Sequence, residues 1–115
     1  MSEGFLKYFK VRERQNGYIV YSLQNILGPR ELDEWNKIVA MIYFQSQRHI
    51  ELNLEKTEFV FPEFFSRLLF QSLEYREKKR TLAISKAPKT ISHFLHARKL
   101  ENLLVVLSSK RSTPI

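Results

Sequence analysis

His93 and His96 stand three residues apart, a spacing that on a helix could turn two imidazoles toward one metal ion. A third ligand is missing: His49 lies far away in the chain and no carboxylate cluster accompanies the pair, so both histidines read as ordinary exposed or half-buried residues. A catalytic serine would need a histidine and a carboxylate converging on it. The sole aspartate, Asp33, falls at the start of a predicted helix, where capping and the helix dipole already account for it. The chain has no cysteine, which excludes a thiolate nucleophile, an iron–sulfur cluster and a cysteine zinc site. Its three glycines, at 4, 17 and 28, are too scattered to form a phosphate-cradling loop. These residues predict no enzymatic activity, no cofactor and no metal.

The most informative stretch is instead a turn, Phe59-Val-Phe-Pro-Glu-Phe-Phe65, which follows an alternating strand and opens a helix at Pro62. A strand-to-helix turn commonly carries the working surface of a small α/β domain. Here it offers aromatic rings and one carboxylate, Glu63, but no hydroxyl, thiol or glycine. Such a turn is equipped to bind rather than to react. Phe64 or Phe65 must serve the core, because only one face of an amphipathic helix is buried. Phe61 and Glu63 are harder to bury. For Phe61, contact with a partner and simple packing are both open, since exposed aromatics are enriched at interfaces.

The elements that hold this turn follow from periodicity. Phe5 to Arg14 and Tyr18 to Leu23 read as two strands, with Asn16-Gly17 supplying the positive-φ positions of a tight hairpin. Gly28-Pro29 starts a helix to about Gln45, with Leu32, Trp35, Val39 and Ile42 at helical spacing and Glu31 and Asp33 near its positive end. Ile50, Leu52 and Leu54 alternate with polar residues, the pattern of a strand covered on one face only, which places the helices on one side of the sheet. A second helix runs from Pro62 to about Lys78 with Phe64, Phe65, Leu68, Leu69 and Leu73 inward. Thr81 to Ser85 is the next strand, Pro88 starts a third helix carrying Ile91, Phe94 and Leu95, and Leu103 to Leu107 is a last, apolar strand. Right-handed crossovers turn this ββαβαβαβ order into an α/β fold with a mixed sheet: an antiparallel hairpin at one edge, then parallel strands.

At 115 residues the chain is one domain, folded over about residues 5–109 and ending in a polar tail. The N-terminus lacks the order of a signal peptide and the apolar runs are too short to span a membrane, so a cytoplasmic protein is expected. The net charge of +7 raises a nucleic-acid reading. Only Arg76, Lys78, Lys79 and Arg80 cluster, however, and at a helix C-terminus cations oppose the dipole favourably. A solvated helix end is preferred to a nucleic-acid patch.

The element order and several residues resemble the STAS domain, the fold of bacterial anti-sigma factor antagonists. Leu23-Gln-Asn-Ile-Leu27 stands where that family has Leu-x-Gly-x-Leu, with asparagine for the glycine. Ile50-Glu-Leu-Asn-Leu54 is similar to its apolar-x-Leu-Asp-Leu strand, and Phe59-Val60 to the Phe-Ile of its Phe-Ile-Asp-Ser-Ser-Gly-Leu motif. Beyond that the chain departs: Phe61 replaces the aspartate, Pro62 the serine phosphorylated in regulatory members, Glu63 the second hydroxyl residue, Phe64 the glycine and Phe65 the leucine. The resemblance implies a non-enzymatic protein-interaction module without the serine switch, with Phe61, Pro62, Glu63, Phe64, Ser66 and Arg67 against the partner. Ser66 reads as a surface serine rather than a displaced phosphorylation site. The family's fourth helix is expected to be lost or reduced to Ser108–Ile115. The implied partner is an anti-sigma factor or serine-kinase-type regulator. Alternatives are a STAS subunit seated on the ATPase of a phospholipid-transport ABC system and a basic nucleic-acid binder using Arg76 to Arg80 with Lys86 and Lys89. Self-association through an edge strand stays open.

Overall fold

The computed structural model describes residues 6–45, 49–100 and 104–107. The order is β1 (Phe9–Arg14), β2 (Gly17–Ser22), β3 (Ile26–Leu27), α1 (Pro29–Gln45), β4 (His49–Asn53), β5 (Phe59–Val60), α2 (Pro62–Glu77), β6 (Leu82–Ser85), α3 (Lys89–Ala97) and β7 (Val105–Val106). A five-stranded sheet runs β1-β2-β4-β6-β7, with β1 antiparallel to β2 and every later pairing parallel. This is the expected mixed sheet with its antiparallel edge. Strands β3 and β5 were not anticipated; they pair with each other in parallel as a separate two-stranded ribbon.

Pleating sends alternate residues to opposite faces. Phe9, Val11, Val20, Ile50, Leu52, Leu82 and Ile84 join one cluster with Trp35, Ile38 and Ile42 of α1, Phe64 and Leu68 of α2, and Ile91 and Leu95 of α3. All three helices therefore cover the same face, as the alternation over 50–54 predicts. The rings of Phe9, Trp35 and Phe64 meet at its centre with centroids 5.8–6.3 Å apart. Trp35 satisfies its indole N–H by donating to Gln71 Oε1 at 2.8 Å, and Gln71 Nε2 donates in turn to Asn36 Oδ1 at 3.1 Å, which ties α2 to α1. Glu34 accepts from the backbone N–H groups of Lys7, Tyr8 and Phe9 at 2.8–3.0 Å, fixing the start of β1 on α1.

Several expectations are corrected. The hairpin turn is Gln15-Asn16, and neither these residues nor Gly17 has a positive φ. Gly17 is required for another reason: a Cβ there would lie 2.2 Å from the His49 carbonyl oxygen, so only glycine lets β2 and β4 approach. Leu73 points outward, 38% exposed, and Leu69 is only half-buried; the inner stripe of α2 runs instead through Phe64, Phe65, Leu68, Gln71, Ser72 and Tyr75. Phe94 is partly exposed while stacking edge-on against Phe65 at 5.0 Å. The apolar last strand is an exposed edge at Val105–Leu107, and among its described residues Leu104 alone is buried. Phe5, Leu103 and the expected tail at 108–115 lie outside the described residues.

Candidate protein-docking site

The turn before α2 is built on the ribbon of β3 and β5. Ile26 pairs with Phe59 and Leu27 with Val60. The Asn25 carbonyl accepts from the N–H groups of Glu58 (2.8 Å) and Phe59 (3.3 Å), and Leu27 accepts from Phe61 N–H at 2.8 Å. Below the ribbon lies a small polar network. The Thr57 hydroxyl is fully buried and within hydrogen-bonding distance of Ser22 Oγ (2.7 Å) and the Gln24 carbonyl (2.8 Å). Glu31, also buried, accepts from Gly28 N–H at 2.8 Å, the reciprocal bond of a capping box at the start of α1. The N–H groups of Gly28, Glu58, Phe59 and Phe61 and the Gln24 carbonyl are thus bonded within the protein, as buried polar groups must be.

This leaves apolar side chains outside. Ile26 (45%), Phe59 (44%) and Phe61 (39%) are all substantially exposed at one lip. Phe59 and Phe61 contact edge to face with centroids 5.1 Å apart. The Phe61 ring lies over Gly28, where a Cβ would come 2.6 Å from its Cδ2, so a glycine is what allows the ring to rest there. Both readings left open for Phe61 have a counterpart: one side of the ring packs and the remainder is accessible. Phe61 is the N-cap of α2 in extended geometry, its carbonyl accepts from Phe65 N–H at 3.0 Å, and Pro62 occupies the first turn, where a missing N–H costs nothing. Beyond it Glu63, Ser66, Arg67, Phe70 and Leu73 are exposed on α2, and Phe70, at 56%, is the most exposed large apolar residue described.

Of the residues expected at a partner, Phe61, Pro62, Glu63, Ser66 and Arg67 are accessible. Phe64 is not: it is 0% exposed and holds the core against Phe9 and Trp35. Ile26, Phe70 and Leu73 were missed. Ile26 carried no periodic signal in so short a strand, and Leu73 sits near enough to the inner stripe for helical spacing to misplace it. The basic cluster is divided. Arg76, Lys78 and Lys79 are exposed around the end of α2, where Lys79 adopts a left-handed φ of 60°, whereas Arg80 turns back and stacks its guanidinium 4.5 Å from the Tyr43 ring centroid. His93 and His96 are both exposed on α3, and no group of three metal-ligating side chains occurs among the described residues. No described helix is long and apolar enough to cross a membrane.

No protein-family sequence profile matches the chain, and no curated protein matches it in sequence. Solved structures do match its fold. A Thermotoga maritima protein described as a candidate anti-sigma factor antagonist superposes with a TM-score of 0.70 at 12% identity, covering 88% of this chain and 86% of that one. The anti-sigma factor antagonist SpoIIAA in its unphosphorylated form gives 0.67 at 13% identity, covering 89% of each chain. The phosphorylated form of SpoIIAA, a Bacillus cell fate determinant, gives 0.67 at 13%, covering 88% of this chain and 92% of that one. The chain therefore has a STAS-like fold, highly divergent in sequence.

Proposed function

We propose that this chain is a non-enzymatic regulatory module of the STAS type that docks a protein partner through the lip formed by Ile26, Phe59 and Phe61 and the adjoining outer face of α2. The observation that carries this reading is the lip itself: three large apolar side chains stay exposed while the N–H groups of Glu58, Phe59 and Phe61 are bonded to the Asn25 and Leu27 carbonyls. Apolar side chains grouped at a surface mark interaction sites more often than scattered ones do. The fold likeness supports one partner class, an anti-sigma factor or a related serine-kinase-type regulator.

Pro62, which the resemblance aligns with the regulatory serine, has no hydroxyl, so binding at this turn is constitutive with respect to phosphorylation. Incubation with a serine kinase of that class is expected to leave the turn unmodified; phosphate on Ser66 would place the switch one turn further along α2. The docking surface is tested by Phe61→Ala/Glu63→Ala. Glu63 is exposed and Phe61 packs on one side only, so unfolding free energy should change by about 1 kcal/mol or less. Capture of the native partner should weaken by about 2 kcal/mol or more, the usual cost of truncating an aromatic anchor. A double variant that melts early while its folded fraction binds normally would make these residues structural.

A further inference from the structure

The face of the sheet opposite the three described helices carries a second, chemically different feature. Lys10 and Arg12 point from β1 to this face, Tyr21 from β2 and Asn53 from β4, with Lys10, Tyr21 and Asn53 in one register row. Together with Ser22, Leu23, Glu55 and Lys56 they line a recess of about 220 Å³. Lys10, Arg12 and Lys56 are exposed and form no ion pair among the described residues. One carboxylate, Glu55, offsets part of their charge.

Asn53 distinguishes this recess from a merely basic surface. It is only 8% exposed. Its Oδ1 accepts from Glu55 N–H at 2.9 Å, which fixes the amide plane and leaves the Nδ2 donors without a protein partner among the described residues. A nine-tenths-buried amide that lines a concave surface, with its oxygen held by the Glu55 N–H, keeps both Nδ2 donors uncommitted. Arginine supplies a fork matched to phosphate oxygens and lysines supply point charges.

We propose that this recess binds the phosphate group of a small phosphorylated molecule, with Arg12, Lys10 and Lys56 neutralising its charge and Asn53 Nδ2 donating to one oxygen. The volume favours a small ester: it is below the roughly 300 Å³ at which drug-sized ligands are enclosed. The recess shares Ser22 with the polar network under the aromatic lip, but none of the four groups proposed to hold phosphate belongs to the lip, so its failure would leave the docking reading untouched.

The test is titration of the full, isotope-labelled chain with inorganic phosphate, against chloride at matched ionic strength, read by NMR. Saturable displacement of the Asn53 side-chain amide and of the Lys10 and Arg12 backbone amides is expected with phosphate alone. Asn53→Asp retains the acceptor for Glu55 N–H but replaces the donors with a carboxylate, and affinity should fall about tenfold or more. Lys10→Gln/Arg12→Gln should do the same and, being exposed, keeps the assay decisive if Asn53→Asp unfolds. Arg76→Gln/Lys78→Gln at the end of α2 should change nothing. Equal displacement by chloride, or unchanged affinity in the Lys10/Arg12 variant, overturns the site. Glycerol phosphate and a phosphoserine peptide are titrated in parallel. Binding of the ester at least as tight as inorganic phosphate supports the small-molecule assignment, and markedly tighter peptide binding overturns it.

Discussion

The helix-covered core and the β3–β5 lip are built on opposite plans. In the core, apolar side chains face inward and the sheet and helices satisfy their own backbone, with Trp35, Phe9 and Phe64 at the centre. At the lip, hydroxyls, an amide and a carboxylate face inward through Thr57, Ser22, Gln24 and Glu31, while Ile26, Phe59 and Phe61 face out. Stability that comes from polar bonds beneath a loop does not depend on the apolar groups above it. On the docking reading proposed above, those groups serve a partner, and the division separates folding residues from proposed binding residues a few positions apart in the chain.

The largest effect that should follow from the contrast is at Phe64, which lies between the two regions yet belongs to the core. Phe64→Ala should lose about 3–5 kcal/mol in denaturant unfolding, as expected for a fully buried aromatic. A loss no greater than that of Phe61→Ala would erase the distinction. Gly17→Ala should cost about 1–3 kcal/mol or more, because the added Cβ meets the β4 backbone rather than a flexible side chain. Gly28→Ala meets only the accessible Phe61 ring, so the same substitution there should shift the lip and cost less.

Thr57→Val is the sharper test of the polar plan. It conserves shape but removes the hydroxyl shared with Ser22 and Gln24, leaving those two with only their longer 3.3 Å bonds to each other, and should cost about 0.5–1.5 kcal/mol. A neutral result would mean that the lip is held by its apolar contacts after all.

The smallest effect near neutral pH is expected at Tyr75. Burial is the main cause that pushes its phenol up from 10.0 to about 12, with the nearby Arg80 charge opposing, and its hydroxyl has no partner among the described residues. A raised acid holds its proton more tightly in the folded state, so this contribution is complete below the unfolded pKa and is lost as pH rises from about 10 through about 12. Tyr75→Phe should therefore be close to neutral in stability at neutral pH and should flatten the alkaline limb of a stability–pH profile. Unchanged alkaline sensitivity in the variant would assign that limb to other groups.

Local pattern made most of the main sheet and all three helices legible in the sequence. The alternation over Ile50–Leu54, the Pro29 and Pro62 helix starts and the spacing of Trp35, Val39 and Ile42 each involve neighbours along the chain, and each has its counterpart in the fold. The same signals identified the Phe61 turn as the place to look, because a helix start with no hydroxyl and several aromatics is unusual in itself. Tertiary structure decided which of those aromatics are available. Phe61 and Phe64 differ in exposure because α2 docks on the sheet at one rotation, a choice that depends on Phe9 and Trp35. It also decided the ribbon of β3 and β5, two residues a side and too short for any period, and the bond between Ser22 and Thr57, 35 residues apart. Lys10, Arg12, Asn53 and Lys56 likewise meet only because β1, β2 and β4 pair in one register. Periodicity reports which side of a strand or helix is apolar; contacts between distant segments exist only once the sheet has been assembled.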